Sequence, residues 1–72
     1  MQTEVHKNKF GTRLKNIRDS REITFETAAI STNIDKCRLL DIELNYVVPD
    51  AEEVLSLCKL YHIGVERIIK EG

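Results

Sequence analysis

Apolar residues recur at helical spacing in five separate stretches of the chain. Phe10, Leu14 and Ile17 lie at i, i+4 and i+7, with Arg18 and Arg21 flanking the stripe, and predict a helix over about residues 8–21. Residues 24–45 predict two short helices. Thr24 is placed to cap the first, because its hydroxyl can accept from an orphan backbone N–H. Ala28 and Ala29 are small enough for another helix to come close. The turn is Thr32-Asn33-Ile34, and asparagine tolerates the left-handed conformation that ends a helix. Asp35 then caps a helix whose inward face is Leu39, Ile42 and Glu43. Pro49 pushes Val48 toward an extended conformation, so the stretch from Asn45 to Pro49 is a loop. Asp50 followed by Glu53 predicts a capping box. Val54, Leu57, Cys58 and Tyr61 make the stripe of a fourth helix, closed by His62-Ile63-Gly64. Val65, Ile68 and Ile69 mark a fifth, over about residues 65–71. The expected fold is all-α: a compact five-helix domain over residues 8–72 with a central helix-turn-helix, preceded by a polar, frayed arm over residues 1–7. A helix-turn-helix can place its second helix in the major groove of DNA.

Composition adds three constraints. A 72-residue chain makes a single domain with a small core. No run of about 18 apolar residues is present and no signal-peptide core, so neither a membrane span nor secretion is expected. Cys37 and Cys58 fit no disulfide framework, and a reducing cytoplasm is the simplest setting. The net charge of −1 is no basic signature, but its distribution is uneven. Residues 1–38 carry eight Lys/Arg against five Asp/Glu, net +3, and residues 39–72 carry three against seven, net −4. Such asymmetry suggests one face for an anion.

With these elements in register, residues from about Phe10 to Ile69 resemble the Cro and C1-type phage repressor family of helix-turn-helix domains. Leu14-x-x-Ile17-Arg18 is similar to that family's first-helix motif. Ala29 stands at its small second-helix position, and Asn33 at its usual turn glycine. Ile34 and Leu39 match apolar positions around the second helix of the unit, and Glu43 the acid near its end. Asn45 stands at the usual glycine after it, and Pro49 through Ile69 follow the pattern of the last two helices. The resemblance implies a sequence-specific regulator of transcription that binds double-stranded DNA, from bacteria or phage, often dimeric. It implies that Lys36, Cys37 and Asp41 face base edges and that Arg38 reaches a base or phosphate. Thr24 and Phe25 would lie over the DNA backbone, and Asn45 and Tyr46 would meet phosphate. It also suggests that Arg18 and Glu43, both too near the core to stay solvated, find each other, with Arg18 still able to reach a phosphate.

Several residues depart from that pattern. Phe25 stands where the family commonly has a phosphate-binding glutamine. Asp41 can accept from cytosine N4 but is repelled by phosphates elsewhere. Leu40 faces outward, and Tyr46-Val47-Val48 contains no cation. Scarce cations imply weak binding per monomer, so a homodimer is expected, through Leu60, Val65 and Ile69. The alternative is a protein-interaction module on the same fold, with Leu40, Tyr46, Val47 and Val48 as its contact surface. Cys58 and His62 have the i, i+4 spacing of two zinc ligands but lack a second pair, and Cys58 is expected in the core. Cys37 at a helix start could be a redox-sensitive thiol or a small groove-facing side chain. No nucleophile–base set, glycine-rich phosphate loop or carboxylate cleft is evident, so no enzyme activity, metal, cofactor or small-molecule ligand is expected.

Overall fold

The apolar stripe of the first stretch winds into α1, Phe10–Ser20, with Leu14 and Arg18 buried and Phe10 and Ile17 half-buried beside them. The computed structural model describes residues 10–70, the last two by backbone alone. The arm expected over residues 1–7 and the outer ends expected for the first and last helices lie outside the described residues. Four further helices follow: α2 (Phe25–Thr32), α3 (Lys36–Glu43), α4 (Ala51–Tyr61) and α5 (Val65–Lys70). Among the described residues there is no strand, and no helix is long and apolar enough to cross a membrane.

Local side-chain chemistry sets the boundaries. Thr24 accepts from the Thr27 N–H at 3.1 Å and caps α2. Asp35 accepts from the Cys37 N–H at 2.9 Å and caps α3. Asp50 accepts from the Glu53 N–H at 2.8 Å while Glu53 accepts from the Asp50 N–H at 2.9 Å, completing the capping box of α4. Asn33 adopts φ 61°, and its N–H returns to the Ala29 and Ile30 carbonyls, ending α2. The same left-handed geometry at His62, φ 60°, ends α4. The linker between α2 and α3 is Asn33-Ile34-Asp35, because Thr32 stays in the helix and its hydroxyl donates back to the Ala28 carbonyl at 2.7 Å.

Every helix sends a side chain into one core: Leu14 from α1, Ala28 from α2, Leu39 and Ile42 from α3, Leu57 and Tyr61 from α4, and Ile68 from α5. The small Ala28 and Ala29, both buried, let α2 lie against α4. On the other side α1 packs on α3. Gly11 allows this approach. A Cβ at that position would overlap the Ile42 carbonyl oxygen and press on Asn45 Oδ1, so the start of α1 rests directly on the end of α3.

Candidate functional site

The helix that the fold displays is α3. Leu39 and Ile42 are fully buried and Glu43 nearly so. At about 100° per residue, Cys37, Asp41 and Leu44 fall on the opposite side, Leu40 on its flank and Lys36 nearer the buried edge; Lys36, Cys37, Leu40 and Leu44 are all exposed. Asp41 is half-buried, and its carboxylate makes no hydrogen bond or ion pair within the described residues. The outward surface therefore combines two leucines, a thiol, one ammonium and one carboxylate.

The inward side is locked by a buried ion pair. Arg18 Nε donates to Glu43 Oε2 at 2.8 Å and Nη2 to Glu43 Oε1 at 3.1 Å, with side-chain exposures of 9% and 4%. Nη1 donates to the Ile23 carbonyl at 2.9 Å. The Phe25 ring lies under the guanidinium, 5.8 Å from Cζ to centroid, within cation–π reach. Hydrogen bonding to Glu43, opposed by burial, raises the Arg18 pKa. The expected pairing of Arg18 with Glu43 is present. Each of the three Arg18 nitrogens is engaged inside the domain, and the side chain is nearly enclosed. Phe25 is half-buried against the core.

Two more residues expected at DNA are turned to internal work. Arg38 makes a bidentate pair with Glu53, Nε to Oε2 and Nη2 to Oε1, both at 2.9 Å. The hydrogen bonds from Arg38 hold the Glu53 carboxyl below its ordinary range, against the effect of burial. Glu53 thus caps α4 and clamps α3 to it. Asn45, at φ 66°, accepts from the Thr12 N–H at 3.3 Å and donates to Thr12 Oγ1 at 2.6 Å, tying the end of α3 to α1. The Thr24 hydroxyl is committed to its cap but stays exposed with the N-terminus of α2. Tyr46 is exposed, and Val47 packs against the core.

The cations outside α3 are also largely spoken for. Lys15 pairs with Asp19 at 3.0 Å. Arg13 donates to the Ile68 carbonyl and Arg21 to the Tyr61 carbonyl. Among the described basic residues from Arg13 to Arg38, Lys36 alone has no intramolecular partner.

The remaining expectations separate by burial. Cys58 is 2% exposed, and burial pushes its thiol up, while His62 is exposed at the end of α4; no group of three or more metal-binding side chains occurs among the described residues. Cys37 is exposed. Leu60 and Val65, expected at a dimer contact, are half-buried against the chain's own core, and the side chain of Ile69 lies outside those described. Phe10, Val54, Leu55, Val65 and Ile68 line an apolar groove of about 300 Å³ beside them. Comparison with protein-family models, curated proteins and solved structures gave no match.

Proposed function

We propose that the chain is a helix-turn-helix domain that binds double-stranded DNA in a sequence-specific way and regulates transcription in the bacterial cytoplasm. The observation that carries this is the presentation of α3. It is the second helix of a pair joined by a three-residue turn, held by Leu39, Ile42 and Glu43, and among the described residues Lys36, Cys37, Leu40 and Leu44 stay exposed. A major groove about 12 Å wide admits such a helix, and two capped helix N-termini near its edge favour phosphate.

With Lys36 the one uncommitted cation on α3, phosphate neutralisation per protomer is small. The domain therefore works as a homodimer on two half-sites, through the α4–α5 side where the apolar groove lies. Selection from a random duplex pool tests the reading: a defined site should emerge. Lys36→Ala should weaken binding to that site by about 1–3 kcal/mol if Lys36 reads a base.

One observation favours a second reading. Leu40, Leu44, Tyr46 and Val48 are all at least 46% exposed, and a cluster of this kind also suits a protein partner. Salt separates the two, because apolar docking lacks the steep ionic-strength dependence of phosphate contacts.

A further inference from the structure

The outward face of α3 limits what it can recognise, and the geometry points to a reader of thymine methyl groups. This rests on the DNA-binding reading and specifies its target. The usual bidentate readers of guanine and adenine are arginine, asparagine and glutamine. None stands free on this face: Arg38 is closed by Glu53 and Asn45 by Thr12. Leu40 and Leu44 stand there instead, 48% and 46% exposed. They are not remnants of the core, which is filled from the other side of the helix by the fully buried Leu39 and Ile42.

In the major groove the thymine C5-methyl is the apolar feature that distinguishes one base from the rest. Leu40 and Leu44 are separated by about 6 Å along the helix axis, from the 1.5 Å rise per residue. With base pairs about 3.4 Å apart, a helix lying along the groove sets the two leucines over thymines about two steps apart. The polar members of the face agree with this occupant. Asp41 can only accept, and among the described residues no group donates to its carboxylate. Amid phosphates its carboxylate needs a donor, which cytosine N4 provides. Lys36, one turn before Leu40, meets guanine O6/N7 or a phosphate. The preferred half-site is therefore thymine-rich, with a cytosine beside the thymines.

The test uses the full chain and a duplex selected from a random pool. Each thymine is replaced in turn by deoxyuridine, which removes one methyl and keeps base pairing. Affinity should fall about fourfold at each contacted thymine, the equivalent of one buried carbon at about 0.8 kcal/mol. In Leu40→Ala one of these thymines should become insensitive to the replacement, and in Leu44→Ala a different one. Both leucines are half-exposed, and a thermal melt verifies that the variants stay folded. Sensitivity to deoxyuridine that neither variant removes, or none at any thymine, overturns the inference and leaves the DNA-binding reading standing. A pool from which the wild-type chain selects no duplex overturns both and turns the leucines into a protein-docking surface.

Discussion

Removing Glu43 should damage the domain more than removing both members of its ion pair. In Glu43→Ala the Arg18 guanidinium stays enclosed, with 9% side-chain exposure, and loses contacts of 2.8 and 3.1 Å. It keeps the Ile23 carbonyl at 2.9 Å, the face of Phe25, and Asp19 at 3.7 Å. These recover little, since Ile23 and Phe25 are uncharged and Asp19 is half-exposed and shared with Lys15. A stranded buried charge costs about 3–5 kcal/mol, and the residual partners place Glu43→Ala near the lower end. At about 0.05–0.15 kcal/mol per residue, a domain of this size is stable by only about 4–11 kcal/mol, so the loss is a large part of the total. Replacing the pair together, Arg18→Met with Glu43→Leu, removes both charges and forfeits chiefly the bond to Ile23, about 1 kcal/mol. The double variant should therefore be the more stable of the two by about 2 kcal/mol, the difference between those two costs. Urea unfolding followed by circular dichroism gives each free energy. Adding the two single replacements closes a double-mutant cycle. A coupling energy below about 0.5 kcal/mol, no more than an exposed pair gives, would refute a buried bond between these helices.

Three other outcomes follow from the same structure. Gly11→Ala should destabilise by about 3 kcal/mol or more, the upper end for overpacking, because its Cβ meets the Ile42 backbone rather than a movable side chain; a thermal melt measures it, and an unchanged midpoint would refute the close approach of α1 to α3. Glu53 has a folded pKa lowered from 4.5, chiefly by its hydrogen bonds from Arg38, so its contribution is present above the unfolded value and lost as pH falls through the lower folded one. Stability should decline on acidification below about pH 4.5, and Glu53→Gln should flatten that decline in a pH series of urea midpoints; an identical pH profile in the variant would count against the clamp. Under native conditions a thiol reagent should modify the exposed Cys37 rapidly and the 2%-exposed Cys58 only at the rate of unfolding, and equal rates at both would contradict the placement of Cys58 in the core.

The features legible in the sequence are those set over a few residues. Thr24, Asp35 and Asp50 each bond to a backbone N–H two or three residues on, so residue type and position suffice. Asn33 likewise answers a local backbone need, and the stripes of Leu14, Leu39 and Leu57 follow from helical period alone. Arg18 and Glu43 were legible because each interrupts or flanks an apolar stripe, where a charge must find a partner. What escaped depends on distant parts of the chain. Glu53 had a complete local role in its capping box, and nothing in the spacing points fifteen residues back to Arg38. Asn45 looked free for phosphate, yet Thr12 lies 33 positions earlier. Gly11 sits inside a helix where no turn demands glycine, and only the packing of α1 on the Ile42 carbonyl explains it. The basic half of the chain suggested an anion-binding surface, but ion pairs and backbone carbonyls occupy most of its described cations.

The proposal that α3 enters a DNA groove meets its most direct test in the salt dependence of binding. The full chain is titrated with a duplex selected from a random pool, by fluorescence anisotropy, over a range of salt concentrations. The logarithm of affinity should fall linearly with the logarithm of salt, and Lys36→Ala should make the slope shallower by about 0.9 if that ammonium neutralises a phosphate. Binding that ignores salt, or no binding at any salt concentration, would contradict the proposal.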